Sequence, residues 1–370
     1  MDEVNQVIRK AAEFLDRTAG VVDMQGRVIA ATNPDLVGKP DEEALAITGG
    51  EDLTVVGDDR CFQYIQLANQ MEFVLFVQGS DAVSQSYLGL LTNWIVAALA
   101  DGSMEEERLA LLKNILLENE LPGDIPLKAR EFKVPYAAPR QAYLILVEEG
   151  DSLECLETLQ GLFPRRKQDF LIAIDEETIV LLKELDRDRR EEADVLGTQI
   201  LDTLNAETMA KVRIGIGMPA DTLKDCAKSY REASLALTVG QIFESESYLM
   251  RYDKLGLGRL IYQLPPTLCH MFLDEVFPDN CYDSLDSETL LTIQKFFENN
   301  LNGSETSRKL FVHRNTLVYR LDKVQKITGL DLRIFDDAVL FKLAAMVRRY
   351  LEKQDRASLS SSRAAKWWRN

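Results

Sequence analysis

Residues 304–329, SETSRKLFVHRNTLVYRLDKVQKITG, constrain the fold of this chain more than any other stretch. Ser304 is a suitable cap for a helix that ends near Leu310 and Phe311, and a turn is expected at Val312 and His313. A second helix then starts near Arg314 and stops at Gly329. An earlier helix over 289–300 precedes this pair, so the pattern predicts a helix–turn–helix.

The second helix of the pair has one apolar and one polar face. Leu317, Leu321 and Val324 follow helical spacing and are expected to be buried. The other side, with the turn and flanking positions, carries His313, Arg314, Asn315, Thr316, Tyr319, Arg320, Lys323 and Lys326. Asn pairs with adenine, Arg with guanine, and Thr with base edges, while Tyr and Lys suit phosphates. The face therefore predicts double-stranded DNA as partner; the alternative is an ordinary solvated charged face.

The charge distribution favours the DNA interpretation. The whole chain has a formal net charge of −17, yet residues 301–370 contain 15 Lys and Arg against 7 Asp and Glu. A basic end on an acidic protein is typical of a single nucleic-acid module.

The motif resembles a known family. The run HRNTL-x-YRL (His313 to Leu321), followed by the apolar helix FDDAVLFKLAAMVRRYL, is similar to the C-terminal domain of PucR/CdaR-type transcription regulators, the sugar diacid regulators of bacteria. The resemblance implies a ligand-responsive regulator that binds DNA, and a cytoplasmic, reducing location is the default expectation for separated cysteines. The resemblance also implies control of genes for uptake or catabolism of a small carboxylate or sugar-acid-like metabolite.

Composition limits other classes of function. With 370 residues, two to three domains are expected. Five separated cysteines without a C-x-x-C pair and only two histidines argue against structural zinc and against a disulfide framework, so no metal, cofactor or catalytic residue is predicted. We also expect no signal peptide and no apolar run near the ~18 residues of a membrane span.

Residues 1–100 are expected to form a sensor domain. An opening helix, a hairpin at Asp23–Gly26, a variable middle and a second hairpin turning at Asn69 and Gln70 resemble a PAS-like fold, and the DxxGRVIA element is similar to the diacid-recognition domain of CdaR-type regulators. The segment PDEEA at 40–44 departs from that domain because it lacks its His and Gly and is acidic. Thr32, Lys39 and Arg60 are candidates for binding an anionic effector. The alternative is that Arg60 and Lys39 are ordinary surface charges.

Residues 101–128 are expected to be a signalling helix and linker. The sequence SMEE from Ser103 fits a capping box, so a new helix should begin there after a helix over 84–100. Leu109, Leu112, Leu116 (or Ile115) and Asn119 approach heptad spacing, which suits either dimerisation or packing within the same domain. Pro122-Gly123 and Ile125-Pro126 indicate the linker.

Residues 129–260 predict a β-α-β-β-α-β-α domain that resembles the GGDEF-like domain of the same regulators, with a ferredoxin-like βαββαβ core. Active cyclases of that fold need a Gly-Gly-Asp/Glu-Glu-Phe hairpin, and this chain has Ile174-Asp-Glu-Glu-Thr178 instead, so we expect no catalysis. The alternative class is a sensor-regulated nucleotide cyclase-like enzyme, which product formation from GTP with Mg²⁺ would identify. An acidic group is a weak candidate for binding a cation: Glu148, Glu149, Asp151, Asp175, Glu176 and Glu177.

The overall prediction is an α+β multidomain protein. It combines a PAS-like sensor, a degenerate GGDEF-like domain, an all-α helix–turn–helix domain at 261–355 and a disordered tail at 356–370. Because one helix reads only a few base pairs, a homodimer on two half-sites ~34 Å apart is expected.

Overall fold

A computed structural model of the chain describes residues 2–47, 54–66, 72–163, 169–185, 193–244 and 246–367. The chain divides into two compact units, Met1–Leu112 and Lys113–Asn370. The predicted turn at Asn69 and Gln70 lies outside the described residues.

The first unit is a five-stranded sheet with helices. Its elements are α1 (Asp2–Ala11), β1 (Ala19–Val22), β2 (Val28–Ala31), α2 (Glu42–Leu45), β3 (Thr54–Val56), β4 (Arg60–Gln66), β5 (Glu72–Gln78) and α3 (Ala82–Leu116), with a 3₁₀ turn at Pro34–Leu36. The strand order is β2-β1-β5-β4-β3, and every neighbouring pair is antiparallel. The first predicted hairpin and the strands of the second are thus present; α2 and β3 were not predicted.

Both faces of this sheet are covered. In β5, Leu75 and Val77 contact an apolar cluster that includes residues of α1 and α3, whereas Phe76 belongs to a second cluster with Ala44 of α2. Successive side chains of a strand point to opposite faces, so β5 supplies both clusters. The buried side of α3 therefore rests on one face of the sheet.

Helix α3 corrects two predictions. It runs without a break from Ala82 to Leu116, so no helix begins at Ser103. Gly102 lies within it, and a Cβ added there would be 3.1 Å from Glu3 Oε1 of α1. A lone glycine inside a helix costs only about 1 kcal/mol relative to alanine, so the helix can continue through Gly102.

Two interpretations were open for the near-heptad residues in the second half of α3, dimerisation and packing within the chain. Leu112, Ile115 and Leu116 are buried within the chain, which supports packing, and the helix ends three residues before Asn119. By length and composition, α3 is apolar enough to cross a membrane, although the sequence was expected to contain no such run. The uncharged polar residues among its apolar ones made that run look interrupted.

The second unit begins with a mixed sheet. Its elements are α4 (Ile125–Glu131), β6 (Arg140–Glu149), α5 (Ser152–Leu162), β7 (Phe170–Ala173), β8 (Thr178–Glu184), α6 (Ala193–Glu207), β9 (Lys211–Ile216), α7 (Cys226–Phe243) and β10 (Leu249–Arg251). The order is β10-β9-β6-β8-β7, antiparallel except for the β9–β10 pair. The predicted β-α-β-β-α-β-α succession is present, and α4 forms where a linker was predicted because Pro126 suits the first turn of a helix.

Two glycines bring α7 close to this sheet. A Cβ at Gly215 would lie 2.2 Å from the Ala233 carbonyl oxygen, and one at Gly217 would lie 1.9 Å from the Ser229 carbonyl oxygen. No side chain fits at these distances. Their role is therefore in helix–sheet packing.

The rest of the second unit is helical. It comprises α8 (Leu257–Tyr262), α9 (Pro266–Val276), a 3₁₀ segment (Pro278–Ser284), α10 (Ser287–Glu298), α11 (Gly303–Lys309), α12 (Arg314–Thr328) and α13 (Phe335–Trp367). The backbone of α13 remains helical to Trp367, so the prediction of a disordered tail from residue 356 was wrong for the described part. Residues 356–367 contain neither Gly nor Pro, the residues that most strongly end helices.

Candidate nucleic-acid interface

The turn between α11 and α12 is built from short-range contacts. Asn302 Oδ1 accepts hydrogen bonds from the backbone N–H groups of Ser304 and Glu305, at 3.1 and 3.2 Å. Asn302, not Ser304 as predicted, is therefore the cap of α11. The chain leaves this helix through Phe311, which has a positive φ of 54°. This left-handed residue produces the sharp change of direction between the two helices.

Helix α12 has a defined start and end. His313 Nδ1 accepts a hydrogen bond from the backbone N–H of Asn315 at 3.2 Å, so the imidazole caps the helix. Gly329 ends it in the left-handed conformation, with φ of 78°, as the sequence predicted. Leu317, Leu321 and Val324 are all buried in one cluster with residues of α10 and α13, which confirms the predicted apolar stripe.

The predicted base-reading residues are exposed at the start of α12. Exposed members of the set are His313, Arg314, Asn315, Thr316, Tyr319 and Lys326. Four of them fall within one and a half turns of the helix N-terminus. A helix that enters the major groove presents its N-terminal residues to base edges. This position suits direct contact with bases.

Arg320 and Lys323 lie in a different environment. Arg320 Nη2 is 2.5 Å from Glu288 Oε2, and its Nη1 donates to Thr292 Oγ1 at 3.0 Å, both on α10. Lys323 pairs with Asp286, the cap of α10. The ammonium of Lys323, together with the Thr289 N–H, holds the pKa of the Asp286 carboxyl well below its usual range. In this arrangement the two cations fix α12 against α10.

The turn also exposes an apolar ring. Phe311 is 96% exposed and lies two residues before His313. A single exposed apolar side chain is common on protein surfaces, so exposure alone assigns no role to Phe311.

The three effector candidates have separate surroundings. Arg60 contacts Asp41 Oδ2 at 2.6 Å and Glu43 Oε2 at 2.5 Å, and its guanidinium lies 5.2 Å from the ring centres of Phe62 and Phe76. Burial lowers its pKa, but the two carboxylates outweigh burial and the pKa is raised. The acidic segment that replaces the expected His and Gly thus neutralises Arg60.

Thr32 and Lys39 differ from Arg60. Thr32 Oγ1 accepts from the Ala19 N–H at 2.9 Å, which ties the start of β1 to the chain that follows β2. The Lys39 side chain is exposed. Of the three candidates, Lys39 offers a solvent-facing charge, whereas Thr32 has a role in the sheet.

Comparison with known proteins identifies two domains. Residues 289–347 match the PucR C-terminal helix-turn-helix domain, and residues 118–239 match the GGDEF-like domain. Both are domains that the resemblance to PucR/CdaR-type regulators implies, so the expected C-terminal and middle domains are confirmed. The first match contains every predicted DNA-contacting residue of α12.

Three proteins that are similar to this chain have regulator names. The carbohydrate diacid regulator of Escherichia coli K12 is 24% identical over 91% of this chain and 95% of its own length. The purine catabolism regulatory protein of Bacillus subtilis is 26% identical over 47% of this chain and 33% of its own length. The proline-responsive activator PutR of B. subtilis is 28% identical over 34% of this chain and 31% of its own length.

In the GGDEF-like domain, acidic residues make contacts within the fold. Glu148 pairs with Arg213 and Glu149 with Lys211, at 2.8 and 2.7 Å. Asp151 caps α5, and Asp175 Oδ1 accepts from the Glu177 N–H in the β7–β8 turn. Among the described residues, no three Asp, Glu, His or Cys side chains meet in a group that could hold a metal ion.

Proposed function

We propose that this protein is a ligand-responsive, DNA-binding transcription regulator that controls genes for uptake or catabolism of a small carboxylate or sugar-acid-like metabolite. The observation that carries the proposal is the exposed set Arg314, Asn315, Thr316 and Tyr319 at the start of α12. These residues combine guanine, adenine and phosphate recognition on one helical end.

The residues of this surface have different proposed roles. Arg314 would pair with guanine, Asn315 with adenine, and Thr316 with a base edge or the thymine methyl. Tyr319 and Lys326 would contact phosphates. His313 would set the start of the reading helix through its cap. Arg320 and Lys323 would hold α12 in place, and Lys323 would reach phosphate only after leaving Asp286.

The N-terminal unit is proposed to be a PAS-like sensor. Its antiparallel sheet, covered by helices on both faces, supports this assignment. Thr32, Lys39 and Arg60 remain the proposed effector-binding residues. Because Asp41 and Glu43 already neutralise Arg60, a carboxylate effector would have to compete with these two side chains. The name of the carbohydrate diacid regulator supports an acid as effector, whereas the names of two other relatives refer to purine catabolism and to proline.

The middle domain is proposed to be a ferredoxin-like, non-catalytic relay. Its hairpin carries Asp175, Glu176 and Glu177 where a cyclase needs paired glycines for nucleotide approach, and Asp175 is engaged in its own turn. The regulator is proposed to act in the cytoplasm, where its DNA target lies.

A homodimer is proposed as the DNA-bound form. Effector binding would change the spacing or exposure of its two reading helices, which requires the effector to bind one arrangement more tightly than the other. Distances between spin labels on the two α12 helices, measured with and without effector, test this mechanism. Unchanged distances would contradict it.

The reading surface is tested by fluorescence anisotropy with DNA from upstream of the gene and of its neighbours, across a salt series. Arg314→Ala should weaken binding to the selected site by about 1–3 kcal/mol and reduce sequence selectivity, because a bidentate contact to guanine is lost. Lys224→Ala, which removes an exposed cation from the GGDEF-like domain, is the control and should bind as wild type. Equal binding of wild type and Arg314→Ala at every sequence would contradict the proposed role.

A further inference from the structure

Helix α3 carries a second apolar stripe on its solvent side. Val83, Tyr87, Leu90, Trp94 and Ala97 follow one another at intervals of four, three, four and three residues. This stripe is called the α3 seam below. Leu90 is 66% exposed and Trp94 51% exposed, Val83 and Ala97 are exposed, and Tyr87 is half-buried. Alternating steps of four and three are the period of a coiled-coil contact.

The seam is distinct from the side of α3 that packs on its own sheet. Ser84, Leu88, Leu91 and Ile95 are buried, and the three apolar ones belong to the cluster with α1 and the strands. At 100° per residue, the centre of the seam lies about 110° around the helix from this buried stripe. Tyr87, at the edge of the seam nearest this stripe, also packs against the cluster, whereas Leu90 and Trp94 lie outside it. One helix therefore offers a second apolar surface of which only the Tyr87 edge contacts the core.

Charge favours a second copy of this chain on the seam. The protein carries a net charge of −17, so two copies repel each other over most of their surface. Residues 82–100 contain no Asp, Glu, Lys or Arg. Two negatively charged copies can therefore contact each other through the α3 seam without placing acidic side chains of the two copies side by side. It also lacks the basic residues that attract an anionic membrane surface.

A membrane does not fit the same helix. Leu88, Leu91 and Ile95 are fixed in the core of the first unit, and a span in lipid would remove them from the sheet. Membrane insertion would therefore cost the fold of the unit that carries α3.

We infer that the α3 seam joins two copies of this chain as a parallel, in-register helix pair. Each seam residue then meets the same residue of the partner about a two-fold axis, as in an isologous interface. This inference rests on the proposed function in one respect, because recognition of two DNA half-sites requires a dimer. The pairing of the two helices is measured without DNA. A parallel pair also makes both chains leave the seam at the same end.

Cysteine cross-linking of the full chain tests both the pairing and its direction. Val83→Cys and Leu90→Cys occupy equivalent positions one heptad apart, so in a parallel pair each lies opposite its own copy, within reach of a disulfide. Gln85→Cys is the control, because it is exposed on the same helix but points about 160° away from the seam. Wild type gives the background of the native cysteines, of which four are buried and Cys281 is half-buried.

Under mild oxidation, Val83→Cys and Leu90→Cys should each convert mostly to a reducible dimer, while Gln85→Cys and wild type should not. Light scattering should give wild type about twice its 41.9 kDa chain mass, and Leu90→Glu/Trp94→Glu the single-chain mass. These substitutions lie on an exposed surface; circular dichroism unchanged from wild type shows that the fold is intact.

Three results would overturn the inference. The first is a wild-type mass of 41.9 kDa in light scattering. The second is no cross-linking of either cysteine variant, and the third is cross-linking of only one of them, as in an antiparallel pair. Flotation of wild type with phosphatidylcholine vesicles, lost in the glutamate variant, would assign the seam to lipid instead. Fluorescence anisotropy with DNA distinguishes failure of the dimer proposal from failure of the DNA-binding proposal. If Leu90→Glu/Trp94→Glu is a folded monomer that still binds DNA weakly, its DNA-binding surface is intact.

Discussion

Arg60 forms ion pairs with two carboxylates that differ in burial. Removing each carboxylate should therefore change the local stability by a different amount. The Asp41 side chain is 8% exposed, whereas that of Glu43 is 47% exposed. Asp41→Ala should destabilise the α2–β4 region by about 1–3 kcal/mol, because it also removes the cap of α2 and leaves Arg60 half-paired. Glu43→Ala should cost less than about 1 kcal/mol because water screens that pair.

Hydrogen exchange of peptides covering β4 measures the local stability of the two variants, Asp41→Ala and Glu43→Ala. A local measurement is needed because global unfolding of a multidomain chain is not a two-state process. Equal protection in Asp41→Ala and Glu43→Ala would contradict the unequal roles. Loss of protection throughout the first unit would instead show that Asp41 supports the whole sheet.

Single residues show where sequence reasoning succeeds and where it stops. The burial of Leu317, Leu321 and Val324 follows from helical period alone, and the structure confirms it. The partners of Arg60 and Arg320 do not follow from such a pattern. Glu288 pairs with Arg320 across 32 positions of the chain, and only the packing of α10 on α12 brings them together.

At the scale of elements, Asp286 links α10 to α12 and predicts a pH dependence. Its carboxylate caps α10 by accepting from the Thr289 N–H at 2.8 Å and pairs with Lys323. Because its pKa is lowered in the folded state, its stabilising effect is present above its ordinary value of about 4 and is lost as the pH falls below that value.

Asp286→Asn keeps a capping oxygen and removes the charge, whereas Asp286→Ala removes both. At pH 7 the Tm should fall more for Ala than for Asn. The gap between wild type and Asn should begin to narrow as the pH falls below about 4. Asp274→Asn, at an exposed position on α9, is the control. A gap that persists unchanged at pH 3 or in high salt would mean that the ion pair contributes nothing.

Element boundaries were predicted well where a local signal sets them. Gly329 ends α12, as predicted, because the left-handed conformation suits glycine. The break predicted at Ser103 was wrong because a capping-box pattern can also occur inside a continuous helix, and a lone glycine at 102 does not end one. The same continuous helix carries the α3 seam.

For the whole molecule, the order of elements and the C-terminal motif were predictable because each has its own period or signature. The sheet orders were not predicted, since strand pairing depends on contacts between distant segments. The charge contrast between the basic end and the acidic remainder was visible directly. It gives DNA binding a strong expected salt dependence, because each phosphate contact releases counterions.

Two reading helices joined through the α3 seams should respond to the phase of their half-sites on DNA. Once a binding site has been mapped by footprinting, inserting 5 base pairs between its halves turns one half about 180° away, and inserting 10 returns it to the same face. Wild type should lose most of its affinity with the insertion of 5 base pairs and regain part of it with 10, because only in-phase half-sites engage both helices.

Leu90→Glu/Trp94→Glu should bind all three sites weakly and about equally, since a monomer reads one half-site. If neither insertion changes the affinity of wild type, each chain binds DNA independently. If Leu90→Glu/Trp94→Glu still responds to the phase of the half-sites, the dimer contact lies elsewhere.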